Sequence, residues 1–275
     1  MTEVYSHSRL SSFESCPRKF HYRYVLKIPV ESESVEAFAG KKVHEVLERL
    51  YKAAQQSRFP SLDRVLRLFR ELWSEHFDAA RVRIARPENG PEVYRENGER
   101  CLTHYYRRFY PFDADETLGL EQRVTFSLDT GGAYRLQGVI DRVVRARDAA
   151  IEIHDFKTGQ RVPSQRDLDR DRQLALYQIG IAEKYGSDQP IRLVWHYLLR
   201  DQVRTSTRTP EALEELRAST ISLIDRIRTE TKFEPRPSAL CGWCEFAEIC
   251  PASGRQRAEA PIAAAPLPQG QIPLL

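Results

Sequence analysis

No stretch of this chain reaches the ~20 consecutive apolar residues that a membrane-spanning helix needs. Its opening, MTEVYSHSRL, has no apolar core of the kind a secretory signal carries. Neither a membrane protein nor an exported one is expected, and the cytoplasm is the expected compartment. Charge of one sign is lacking too: 42 lysines and arginines face 39 acidic residues, a net +3. That excess is too small to argue for a nucleic-acid partner, so any basic groove has to come from how the charges are distributed. Arginine makes up 34 of the basic residues. It suits bidentate phosphate contacts, but a GC-rich coding bias produces the same excess. With 41% hydrophobic and 29% charged residues, neither a fibre nor wholesale disorder fits. The 275 residues suffice for a full core, as one large domain or two small ones.

What the chain does contain is GVIDRVVRARDAAIEIHDFKTG, with Asp141 in its first part and Asp155-Phe156-Lys157 in its second. Alternating apolar residues over Tyr134–Val144, a charged turn at Arg145–Asp148 and a second run from Ala149 read as a β-hairpin. Residues two apart in a strand share a face, so Asp155 and Lys157 project together while Phe156 points the other way. Paired strands lie ~5 Å apart, which brings Asp141 within reach of the same cation as Asp155. Two carboxylates and a lysine suit metal-dependent phosphodiester cleavage. The oxygens hold Mg2+ or Mn2+, the metal activates water, and the ammonium orients that water or neutralises developing charge. A salt-bridged surface hairpin contains the same triplet, so context has to decide.

Around this hairpin, Ser8–Phe13 reads as a capped helical turn, followed by an aromatic and basic segment that either touches DNA or packs as a core face. Helices are expected over about Val35–Gln55, with His44 on the apolar side, and near Ser61–Ala80 and Glu92–Tyr110. A strand over Leu118–Leu128 turns at Asp129–Gly132, and a helix from about Gln165 to Tyr185 places Gln173 and Tyr177 on one face. A buried strand at Ile191–Leu199 and a helix at Pro210–Glu230 complete the pattern. Cys241, Cys244 and Cys250 form C-x2-C-x5-C, with Cys16 the candidate fourth ligand, whereas Cys101 reads as a buried apolar residue. In a cytosolic chain this favours metal ligation over disulfides. The spacing does not choose between zinc and an iron–sulfur cluster.

The series G-x-x-D, hairpin, D-x-K-T-G and Gln173-x-x-x-Tyr177, with His44 upstream and the cysteines at both ends, resembles the RecB-like branch of the PD-(D/E)XK nuclease superfamily. The resemblance implies an α/β core of helix, three strands, helix and strand. It also implies Asp141, Asp155, His44 and the backbone carbonyl of Phe156 on the metal, Lys157 as the catalytic cation, and Gln173 and Tyr177 lining the site. Glu121, in the first strand, is a further residue that relatives bring toward the centre. The cysteine frame, Cys16 with Cys241, Cys244 and Cys250, implies a 4Fe-4S cluster that staples the chain ends together.

The expected organisation is a nuclease domain over residues 1–254, with a helical insertion at about 57–112 and the iron–sulfur region at Cys16 plus 240–251. A flexible Ala/Pro-rich tail, residues 255–275, follows. Its last five residues, Gln271–Leu275, resemble sliding-clamp docking peptides of bacterial repair enzymes. The expected function is a divalent-metal deoxyribonuclease acting on single-stranded DNA ends in repair or recombination, with a clamp or a helicase as partner. Trimming DNA for CRISPR adaptation and a non-catalytic, cluster-bearing DNA-end-binding subunit are the alternatives.

Overall fold

The computed structural model describes residues 3–86, 88–186 and 189–254; the tail 255–275, with the docking peptide Gln271–Leu275, lies outside the described residues. The chain begins with strand β1 (Val4–Tyr5), helices α1 (His7–Ser15) and α2 (Pro17–Phe20), and a π-helical turn at His21–Val25. Strand β2 (Glu33–Ser34), helices α3 (Val35–Ala54) and α4 (Leu62–His76), strand β3 (Val82–Arg83) and helix α5 (Pro91–Phe109) follow. Then come strands β4 (Glu116–Ser127), β5 (Arg135–Arg145) and β6 (Ile151–Lys157), helices α6 (Gln165–Leu168) and α7 (Arg172–Tyr185), strands β7 (Ile191–Tyr197) and β8 (Gln202–Ser206), and helix α8 (Pro210–Thr229).

Local chemistry sets most of these boundaries. The side chains of Ser6, Ser34, Ser61 and Thr209 accept backbone N–H groups in the first turns of α1, α3, α4 and α8, satisfying donors that a helix start leaves unpaired. The single helix expected from about Gln165 to Tyr185 is broken, because Asp171 accepts the Leu174 N–H at 3.2 Å and starts α7 afresh. The strand expected over Ile191–Leu199 ends at Tyr197, where a 3-10 turn takes over.

β4 and β5 pair antiparallel over nearly their full length. On the other side of β5, β1 pairs parallel with Arg135–Leu136, and β6 pairs antiparallel with Arg142–Arg145. β6 continues into β7 in parallel, and β8 closes the edge antiparallel to β7. The result is a mixed α/β fold around a mixed sheet, with the expected core order and short extra strands at its edges. Ile151 and Ile153 of β6 enter the core shared with α1, α7 and α8, whereas Phe156 enters the core built on α3, α4 and α5. The helices from the expected insertion thus cover one face of the sheet.

In the N-terminal aromatic segment, Phe20 and Tyr22 are buried, so the core-face reading holds for these rings. Its cations reach the other end of the chain: Arg23 and Lys19 pair with Glu245 at 2.6 and 3.2 Å, and Tyr22 packs edge-on against Phe246.

α4 and α5 approach closely at Gly98, where a Cβ would stand 2.3 Å from the fully buried Phe69 ring. Replacing Gly98 by alanine gains about 1 kcal/mol of helix propensity, but overpacking a ring that cannot swing outward costs about 1–3 kcal/mol. Gly98→Ala should therefore be neutral to destabilising in chemical denaturation, and Phe69→Leu in the same chain should recover part of any loss. Additive effects of the two changes would contradict this packing.

Candidate active site

Beyond the Arg142–His154 pair the β5–β6 ladder stops, and the next residues on the two strands are Asp141 and Asp155. The Phe156 N–H, which would otherwise seek a ladder partner, donates to Asp141 Oδ2 at 2.6 Å. A carboxylate thus ends the ladder and is held rigidly where the strands part.

His44 arrives from α3. Its Nε2 lies 2.8 Å from the Phe156 carbonyl oxygen and its Nδ1 3.3 Å from Asp141 Oδ1. Burial lowers its pKa, but the hydrogen bond and charge of Asp141, then the charge of Asp155 and the Phe156 carbonyl, raise it to about 9. At neutral pH the ring is therefore an imidazolium donating from both nitrogens. To act as a ligand it must give up a proton, so cation binding and His44 deprotonation are linked.

Glu121 completes a triad. Ligand atoms of His44, Glu121 and Asp141 all lie within 4.8 Å of one another, the one set of three or more His, Cys, Asp or Glu groups this close among the described residues. The β4–β5 register runs from Leu120 opposite Arg142 to Gln122 opposite Ile140, which puts Glu121 opposite Asp141. Its φ of 43° is left-handed. Holding a non-glycine residue there costs on the order of 1–3 kcal/mol, and such strain concentrates at functional sites. Burial, with Asp141 adding to it, pushes the Glu121 pKa upward.

Asp155 and Lys157 do project to the same side. Lys157 Nζ stands 3.0 Å from Asp155 Oδ1, 2.7 Å from Oδ2 and 3.0 Å from Gln173 Oε1, while Gln173 Nε2 donates to Asp155 Oδ1 at 3.3 Å. Burial opposes the charge of Lys157, but Asp155 and then Asp141 hold its pKa above the usual lysine value. Burial first, and the like charge of Asp141, push Asp155 upward against the pull of Lys157.

Tyr177 is one turn along α7 from Gln173, and its ring lies over Gly138. A Cβ at Gly138 would stand 2.1 Å from the ring, so the glycine of G-x-x-D is the hollow that seats the tyrosine. Burial raises the pKa of the Tyr177 phenol.

The donors fit a hard divalent cation. The group combines carboxylate oxygens with one imidazole nitrogen, a set that suits Mg2+ or Mn2+, with imidazole favouring the latter. Asp155 Oδ2 is a buried oxygen held against the Lys157 ammonium at 2.7 Å.

At the other pole, Cys16, Cys241, Cys244 and Cys250 all line one cavity of about 70 Å³. Backbone N–H groups of Arg236 and Ser238 donate to the sulfurs of Cys16 and Cys241, each at 3.4 Å. Cys101 is buried within α5, as expected, and burial raises its pKa to about 12.

The model of the PD-(D/E)XK nuclease superfamily matches residues 4–251, and the chain belongs to this superfamily. Among solved structures it is similar to a protein from Eubacterium rectale named "Putative exonuclease", with a TM-score of 0.50, 13% identity, and coverage of 95% of this chain and 91% of that one. At that identity the likeness shows the fold alone. A second solved structure, that of SSO0001, gives a TM-score of 0.35 at 14% identity over 90% of this chain and 95% of that one. No curated protein matches the chain.

Gln173 holds both Lys157 and Asp155 yet is outside the His44, Glu121 and Asp141 set. Gln173→Ala should lower nuclease activity by about 10–100-fold while changing divalent-metal affinity, measured by calorimetry, only a few fold. Undiminished activity would show that Gln173 does not position the lysine.

Proposed function

We propose that this nuclease is a divalent-metal-dependent deoxyribonuclease of the RecB-like branch that degrades DNA from single-stranded ends, carries a structural 4Fe-4S cluster and serves DNA repair or recombination. The observation that carries the reading is the convergence of His44, Glu121, Asp141, Asp155 and Lys157 at the parting of β5 and β6. His44, Asp141, Asp155, the Phe156 carbonyl and Glu121 are the candidate ligands. Held by them, a divalent cation would supply polarisation of the scissile phosphate and activation of a water. Lys157, kept charged by Asp155, faces the charge that develops on the phosphate. Gln173 fixes the lysine, and Tyr177 lines the site from its seat on Gly138.

The cluster reading draws support from the shared cavity of the cysteines and from the N–H groups aimed at two of the sulfurs, since hydrogen bonds to sulfur tune such clusters. In this role the cluster joins Cys16 to the C-terminal segment across a very long loop, so its contribution is mainly to stability.

Anaerobically purified protein with Mn2+ should digest linear but not circular single-stranded DNA, and Asp155→Ala and Lys157→Ala should each lower cleavage at least about 100-fold while still binding DNA. Cutting of circles would contradict end dependence, and undiminished cleavage by either variant would contradict the assigned roles. Cys16→Ala should lose iron and melt at lower temperature, with Cys101→Ala retaining both; a stable Cys16→Ala protein with full iron would exclude Cys16 as a ligand.

A further inference from the structure

Cleavage chemistry makes no use of two large apolar side chains on the 3-10 turn Ala239–Trp243. Leu240 is 66% exposed and Trp243 38%, and both line a groove of about 550 Å³. The groove adjoins the recess at His44 and Glu121, since Glu36 and Thr158 line both. The carboxylate site lies beyond one side of these two residues and the tryptophan beyond the other.

The lining of the groove distinguishes between parts of a nucleic acid. Its charged side chains are Glu36 and Arg86, one of each sign, while Tyr94, Asn89, Asn97 and Gln160 supply a ring and amides. Phosphates would find little cation here, but unpaired bases would find apolar faces and groups able to donate and accept hydrogen bonds. Duplex DNA turns its phosphates outward and keeps its base faces stacked inside, so the occupant this surface fits is a single strand with bases turned inward.

Trp243 is also held in place. It precedes Cys244 and follows Cys241 by two residues, and Leu240 lines both the groove and the cysteine cavity. From the opposite side, the Arg83 guanidinium donates to the carbonyls of Trp243 and Cys244 at 3.3 and 3.1 Å. The ring therefore sits on a turn fixed between the helical layer and the cysteine pole.

We propose that Trp243 is a stacking platform for an unpaired base of the strand whose scissile phosphate lies at Asp141 and Asp155, so that the cysteine turn helps to bind substrate. This deepens the nuclease reading of the same site and rests on it. It also gives the helical layer, α3 and α5, a role as the far wall of a single-strand path.

Intrinsic fluorescence provides the test, because Trp73 and Trp195 are buried at 6% and 1% exposure, leaving Trp243 as the ring a nucleic acid can quench. Titration is done with oligothymidylate in the presence of a metal chelator, so binding is read whether or not the protein cleaves. Quenching should saturate with the wild type. Trp243→Ala should bind roughly tenfold more weakly, the cost of losing one base–aromatic stack, and Trp243→Phe should remain within a few fold of wild type. With Mn2+ present, Trp243→Ala should raise KM on single strands and leave kcat near wild type. An abasic oligomer, carrying the charges without the bases, should bind the wild type without quenching it. Equal affinity of Trp243→Ala and wild type would overturn the proposal, as would equal quenching by the abasic oligomer. A loss shared by the Ala and Phe variants together with a lowered melting temperature would also overturn it.

Discussion

Everything at the site depends on the place where β5 and β6 cease to pair. A sheet that continued its ladder past Arg142 and His154 would spend the Phe156 N–H on a backbone carbonyl and leave no space between the strands. Here the N–H is given to Asp141 instead, so the gap is closed by a carboxylate. The neighbouring strand contributes Asp155, the strained turn of β4 contributes Glu121, and α3 contributes His44. Burial first, and then the like charge of Asp141, push Glu121 and Asp155 toward the protonated form, while Asp141 and Asp155 favour the charged form of His44.

Lys157 works under the opposite constraint. It is partly exposed, Asp155 and Asp141 favour its charged form against the cost of burial, and Gln173 limits where the ammonium can go. Rigid placement of that charge rests in turn on α7, whose fresh start at Asp171 sets the face carrying Gln173 and Tyr177. The absence of a side chain on Gly138 lets that helix approach. The far pole is built differently, by joining sequence ends: Lys19 and Arg23 hold Glu245, and the cysteines of both ends line one cavity.

The D-x-K face was readable because the two-residue period of a strand leaves no freedom in which side chains share a side. His44 and the helices around it were readable because three- and four-residue spacing repeats over long runs. Glu121 was harder, since its placement depends on a left-handed residue in a strand whose composition looks regular. The break at Asp171 was hidden because an aspartate inside a polar stretch signals a cap only once the neighbouring turn has formed. β1 and β8 are too short to show a period, and β1 exists because β5 offers it an open edge. Trp243 was passed over because the cysteines beside it drew the reading toward metal ligation, and its exposure is a property of the folded turn.

The central claim is that one divalent cation sits where β5 and β6 part. Crystals saturated with Mn2+ and measured at a wavelength where manganese scatters anomalously test it directly. The account predicts a peak in bonding contact with the His44 imidazole and with carboxylate oxygens of Asp141 and Asp155. A saturated crystal with no peak there, or with manganese bound only at another place on the molecule, would contradict it.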